Sequence, residues 1–216
     1  MEAIANMLTS FKKPNRTPEE WAAWDAEIAA EDESRRMNEI AKRIRAAHIP
    51  LEYAEASEIR EEIAKWADGD PDKGLLMQGP SGRGKTYQAV CALKRMANEH
   101  RVLFTTFADI KHAAKDCFHG YIREHEVIAE YTLPHCLLID DVGKEQMTAW
   151  SLPIFFEIIK KRGEKLRPTI ITTNDTGKQL LSKFTIDGDR ATADAILSRL
   201  SAYEIVKMNG EDRRRK

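Results

Sequence analysis

The stretch "GLLMQGPSGRGKT", residues 74–86, decides the fold. Its first five residues form an apolar run of strand length, as expected of a strand covered on both faces. Its last eight are Gly79, Pro80, Ser81, Gly82, Arg83, Gly84, Lys85 and Thr86, which fill the whole pattern G-x-x-x-x-G-K-[ST]. Glycines let successive backbone N–H groups turn inward as an anion nest at the start of a helix. The lysine is then placed for β- and γ-phosphates, and the threonine hydroxyl for Mg²⁺. A chance glycine-rich turn would lack the strand before it and the helical pattern after it. Nucleotide binding by residues 79–86 is therefore expected.

Similar apolar runs stand at "RVLFTTF" (101–107), "CLLID" (136–140), "TIITTN" (169–174) and "YEIVKM" (203–208). Helical patterns fill the gaps at 58–67, 85–98, 108–118, 148–162, 177–183 and 189–201. Strands alternating with helices predict an α/β fold with a mostly parallel sheet and right-handed crossovers.

"CLLIDDVGKE", residues 136–145, has the form of a second phosphate-site element. It delivers Asp140 to the carboxyl end of a buried strand, where ligands bind in open α/β sheets. Asp140 is expected to hold Mg²⁺. Asp141 is the first candidate to orient the attacking water, and Glu145 the second. "DDVG" also fits the D-x-x-G of GTPases, but the later "TTNDTGKQ" lacks an N-K-x-D signature, so ATP is the expected nucleotide. Asn174 ends that later strand at a height where an amide can hold the water or the γ-phosphate. It can equally be a turn or cap residue.

Composition narrows the class further. The apolar fraction of 42% supports a sizeable core, and the net charge of −1 gives no global case for nucleic-acid binding. Cys91, Cys117 and Cys136 are isolated, without a CxxC pair, so neither a zinc ribbon nor a disulfide framework is expected. The N-terminus is a poor signal peptide and no run approaches a membrane span, so a cytoplasmic protein without membrane contact is expected.

Residues 1–47 read as a helical N-terminal arm and 48–216 as the ATP-binding domain. "NRTPEEW" (15–21) carries a capping box, with Thr17 as cap, Pro18 at the first helical position and Glu20 completing it. Residues 19–33 hold seven acids and no base, and 35–45 hold five bases and one acid, an order that suits the helix dipole. Trp21, Trp24, Ile28, Met37, Ile40 and Ile44 make a sparse stripe. Two readings stay open: a helix packed on its own domain, or a partner-binding arm.

Residues 108–135 exceed what one crossover helix needs, so "HGYIREHEVIAEY" (119–131) reads as an added helix. Lys111, Lys115 and Arg123 can meet phosphates there, and Phe118 or Tyr121 can stack on bases. Glu124, Glu126 and Glu130 argue for a solvated crossover instead. In "AILSRLSAY" (195–203), Arg199 interrupts an apolar run, either as a surface residue or as a cation for another subunit's site.

"GPSGRGKT", "LLIDDVGKE", "TIITTN" and "ILSRL" stand in an order that resembles the AAA+ ATPases, and within them the DnaC/DnaI helicase loaders and IstB transposition ATPases. "HIPLEY" (48–53) is similar to the family's lead-in, and "NGEDRRRK" (209–216) to its basic end. The resemblance covers roughly residues 48–216. It implies a five-stranded sheet of order 5-1-4-3-2 with helices on both faces, ATP and Mg²⁺ as cofactors, and assembly into a ring or spiral. It makes Asn174 the first sensor and Arg199 the arginine finger. Only 13 residues follow Tyr203, so no helical lid is expected. The implied function is loading of a replicative DnaB-type helicase onto single-stranded DNA. The alternative is an IstB-like regulator that binds target DNA and stimulates a transposase.

Overall fold

The computed structural model describes residues 17–69 and 71–209, so the basic stretch after Asn209 lies outside the described residues. The chain divides into two units between Glu39 and Ile40. Helix α1, Pro18–Arg45, begins in the first of them. Its capping box is formed: the Thr17 N–H donates to Glu20 at 2.6 Å, and the Glu20 N–H to the Thr17 hydroxyl at 3.3 Å. No residue of α1 is buried; Trp24, Ile28 and Met37 are exposed, and the rings of Trp21 and Trp24 meet edge-on at 5.5 Å. The last residues of α1 belong to the second unit. There Arg43 donates to the carbonyls of Ala97 and Asn98.

The second unit is built on five strands: β1 Leu75–Gln78, β2 Val102–Thr106, β3 Cys136–Asp140, β4 Thr169–Thr173 and β5 Glu204–Lys207. They form one sheet in the order β2-β3-β4-β1-β5, and every pairing is parallel. The sheet is therefore fully parallel where a mostly parallel one was expected. The helix α2 Glu61–Asp68 precedes β1, and the others follow strands: α3 Lys85–Met96, α4 Phe107–Phe118, α5 Glu124–Thr132, α6 Ser151–Glu164, α7 Gly177–Phe184 and α8 Ala191–Leu200.

Alternate strand residues feed two cores. Leu76, Leu103, Leu137, Ile139 and Ile171 pack on one face with Phe107, Phe155 and Phe184, whose rings meet at 5.4–6.2 Å. Leu75, Met77, Phe104, Leu138 and Ile170 pack on the other with Ile63, Trp66 and the apolar side of α3. Cover on both faces explains why these strands are apolar without alternation.

Two details differ from the sequence expectation. The helical pattern at 58–67 begins only at Glu61. Arg60 is extended, at φ −67° and ψ 143°, because its N–H donates to the Gln88 side chain at 2.8 Å. The insert at 119–131 does hold an added helix, but this starts at Glu124 after a turn through Gly120, whose φ of +77° suits glycine.

Arg162 on α6 is fully buried. It donates to the Thr169 hydroxyl and to the carbonyls of Tyr131, Pro134, His135 and Pro168. Burial lowers its pKa to about 10. It fastens the end of α5 and the starts of β3 and β4, the amino ends of the strands.

Candidate nucleotide site

Strand order creates the site. β4 lies between β1 and β3, so the loop after β1, Asp140 at the end of β3 and Asn174 after β4 converge at the carboxyl edge. A cavity of about 440 Å³ opens there, lined by Tyr53, Glu58, Ser81, Gly82, Gly84, Lys85, Thr86, Tyr87, Asp141 and Asn174. Gly84 starts α3 at φ 77°, a left-handed conformation that glycine adopts without strain. Gly79 packs so closely on β5 that a Cβ would sit 2.3 Å from the Met208 carbonyl oxygen.

Lys85 is buried. Its ammonium donates to the carbonyls of Gly79 at 2.8 Å and Pro80 at 2.9 Å, and to Asn174 Oδ1 at 2.6 Å. It is held at the cavity by the loop and by the residue read as a sensor. Thr86 Oγ1 donates to Asp140 at 2.9 and 3.1 Å. Thr172 Oγ1 donates to Asp140 Oδ1 at 2.5 Å and accepts from the Asp141 N–H at 3.0 Å. Burial pushes the Asp140 carboxyl above its ordinary range; the Thr172 hydroxyl pulls it back, and the Asp141 charge adds to the rise. A threonine hydroxyl and a carboxylate are hard oxygen donors of the kind Mg²⁺ takes, so these residues fit the metal.

Asp141 adopts φ 58°, a left-handed conformation uncommon for a residue with a Cβ, and its side chain faces the cavity. Lys144 donates to it at 3.1 Å. Glu145 is absent from the cavity lining. It accepts from Lys111 at 2.6 Å, and this bond holds it below the ordinary glutamate range. Lys111 and Glu145, read from sequence as a DNA contact and a second water-positioning candidate, are thus one ion pair. Lys115 and Arg123 are exposed, as are Phe118 and Tyr121 beside them. Arg83 belongs to the loop but not to the cavity lining. Arg199 lies outside the lining too: it rests on α8, donates to the Ala195 carbonyl at 2.9 Å and stands 5.0 Å from the Phe156 ring centroid.

Several residues of the site were missed in sequence. Thr172, unremarkable within "TIITT", bridges Asp140 and the Asp141 backbone. The lead-in is sewn to α3 by Tyr87, Gln88 and Lys94. The Tyr87 hydroxyl accepts from the N–H groups of Ser57 and Glu58. Gln88 Nε2 donates to the Glu58 carbonyl at 2.8 Å. Lys94 donates to the carbonyls of Tyr53, Ala54 and Ala56 at 2.9, 2.5 and 3.1 Å. These bonds hold Tyr53 and Glu58 as one wall of the cavity. A polar stripe at 87, 88 and 94 on an otherwise buried helix was the available signal. Among the described residues, no His, Cys, Asp and Glu group forms a metal cluster, and no helix is long and apolar enough to cross a membrane.

Residues 22–216 match the family described as IstB-like ATP binding protein. The replicative helicase loader DnaC of Escherichia coli K12 is 24% identical over 204 residues, covering 83% of this chain and 82% of DnaC. The replicative helicase loader DnaI of Bacillus subtilis is 22% identical over 172 residues, which is 76% of this chain. The match spans only 55% of DnaI, so the chain corresponds to little more than half of that relative. A crystal structure of DnaI superimposes with a TM-score of 0.64 at 20% identity, covering 75% of this chain and 95% of that one.

Proposed function

From the premise that this chain belongs to the IstB-like ATP-binding proteins of the AAA+ class, we propose that it is an ATP-hydrolysing loader of a DnaB-type replicative helicase onto single-stranded DNA. The observation that carries the ATPase reading is the charge of the cavity. Among its described lining residues Lys85 is the one cation, facing Glu58 and Asp141. A triphosphate with charge building on its γ-phosphoryl group needs more than that. Arg199 is suited to supply it from a neighbouring subunit. Such fingers are worth ~10³–10⁵ in rate in well-studied NTPases.

In this reading the loop amides and Lys85 bind the β- and γ-phosphates, and Thr86 and Asp140 hold Mg²⁺, which neutralises phosphate charge when bound. Asp141 accepts a hydrogen bond from the attacking water and orients it in line with the γ-phosphorus. The water oxygen bonds to the γ-phosphorus as the bond from that phosphorus to the bridging oxygen breaks, the electron pair leaves with ADP, and the water's proton is released to solvent, giving ADP and inorganic phosphate. Asn174, already bonded to Lys85, senses whether the γ-phosphate is present. The loader role rests on the resemblance to DnaC along most of both chains. Lys115, Arg123, Phe118 and Tyr121 are the surface offered to single-stranded DNA.

Capture of host proteins on the immobilised full chain, with ATP and then with ADP, tests the partner. A helicase retained with ATP and released with ADP is expected; a transposase without a helicase would establish the IstB-like alternative instead. For the ATPase, Arg199→Ala should keep ATP binding in the isolated subunit and lose ~10³-fold in assembled turnover. Equal activity per subunit across a dilution series through disassembly would remove the neighbour's finger from the mechanism.

A further inference from the structure

Arg199 is held by two contacts of different kinds. One N–H of its guanidinium donates to the Ala195 carbonyl one turn back on α8 at 2.9 Å. Its Cζ stands 5.0 Å from the ring centroid of Phe156 on α6. At that distance a cation is attracted by the ring's quadrupole, a contact that needs no hydrogen-bond acceptor. Lys160, one turn along α6, stands 6.0 Å from the same ring centroid and is tied to Glu157 at 3.2 Å. Phe156 itself is half-buried and packs against the core, so it is fixed from below.

We propose that Phe156 is the positioning residue of the finger: its ring holds the Arg199 guanidinium by a cation–π contact, so that N–H groups not given to Ala195 can turn to a neighbour's γ-phosphate. This rests on the reading of Arg199 as a finger supplied between subunits. An arginine side chain has four rotatable bonds, and a finger that must find its pose at each turnover loses rate to that search. The ring removes part of the search before the neighbour arrives. Its π face does so in a way an aliphatic side chain of similar size cannot.

The test uses the full chain and the variants Phe156→Leu, Phe156→Tyr, Arg199→Ala and Phe156→Leu with Arg199→Ala. ATPase is measured in the assembled state, ATP affinity in the isolated subunit, and thermal stability in each. Phe156→Leu should lower kcat about 3–10-fold with KM and ATP affinity unchanged. Phe156→Tyr, which keeps the π face, should restore most of that loss. The double variant should be no slower than Arg199→Ala alone. In NMR spectra, the Arg199 side-chain Nε–H resonance should shift in Phe156→Leu as the ring current is removed. Full turnover in Phe156→Leu, with Arg199→Ala inactive, would overturn the role of Phe156 and leave the finger standing. Equal losses in the Leu and Tyr variants that track lowered melting temperature would overturn it as well. Full assembled turnover in Arg199→Ala would remove the finger, and the platform with it.

Discussion

Arg162→Met tests how this fold closes the amino ends of its sheet. Arg162 is fully buried and, among the described residues, has no carboxylate partner; its five N–H donors go to four carbonyls and one hydroxyl. Methionine fills much of the volume and donates nothing. The Thr169 hydroxyl can turn to another acceptor, but the carbonyls of Tyr131, Pro134, His135 and Pro168 are fixed by the backbone. The Pro168 carbonyl keeps the Leu137 N–H at 3.3 Å; each buried acceptor left with no donor costs ~1–3 kcal/mol. Against the sum stands relief from burying a cation, which the lowered pKa of about 10 records. With several carbonyls losing their donor and that relief set against them, a net loss of roughly 3 kcal/mol is expected. At ~2–4 °C per kcal/mol for a chain of this size, the melting temperature should fall by roughly 10 °C. Arg162→Lys, with at most three donors, should fall between. Urea denaturation followed by circular dichroism supplies the free energy. A loss under about 1 kcal/mol for the Met variant would refute the assignment.

Two further substitutions probe the site. Thr172→Val keeps the shape and removes the hydroxyl between Asp140 and the Asp141 N–H, so stability should drop by about 2 kcal/mol in chemical denaturation. The pH dependence follows from Asp140, whose folded pKa is pushed by burial above the ordinary aspartate value of 3.8. Its ionisation is disfavoured in the nucleotide-free fold, so that fold loses stability as pH rises from 3.8 through the raised value. Mg–ATP affinity gains over the same window, because the metal takes the carboxylate, and Thr172→Val should move this gain to higher pH. An unmoved affinity profile in titrations from acid to neutral pH would separate Thr172 from the metal site. Lys94→Met frees the carbonyls of Tyr53, Ala54 and Ala56. It should weaken ATP binding about 3–10-fold and speed hydrogen exchange at 53–56; unchanged exchange would show that the lead-in holds itself.

The sheet was legible because strands covered on both faces are apolar with little alternation, as β1 to β4 are; β5, at the sheet edge and mostly exposed, showed only a short strand-like run. The phosphate loop was legible because its geometry is local: spacing of Gly79, Gly84, Lys85 and Thr86 within eight residues specifies it. What stayed hidden depends on acceptors brought from elsewhere in the chain. "KKRGEK" reads as a solvated helix end, yet its arginine gathers carbonyls from four other positions. Lys94, in "ALKRM", looks like one more surface lysine until the turn at 53–56 arrives over it. The start of α2 was misjudged for the same reason, since a Gln88 side chain from a later helix holds Arg60 extended. Asp141 carries no sign in sequence of its left-handed backbone, although that turn is what brings its carboxylate to the cavity.

The two arginines associated with α6 show how the fold separates roles that look alike in sequence. Arg162 gives all five donors to the protein itself, four to backbone carbonyls and one to the Thr169 hydroxyl, and so can serve no ligand. Among the described residues Arg199 makes one hydrogen bond, and its second contact is with the Phe156 ring. Both depend on the same helix, since α6 carries Arg162 near its end and Phe156 near its start. Their perturbations should therefore separate. Arg162→Met changes the free energy of unfolding and leaves turnover per folded subunit intact. Phe156→Leu changes turnover in the assembly and leaves ATP affinity intact. If α6 acted only as a rigid prop, both variants would lose stability and turnover in proportion. The chemistry of the two guanidinium settings, one with every donor saturated and one resting against an aromatic ring, argues that they will not.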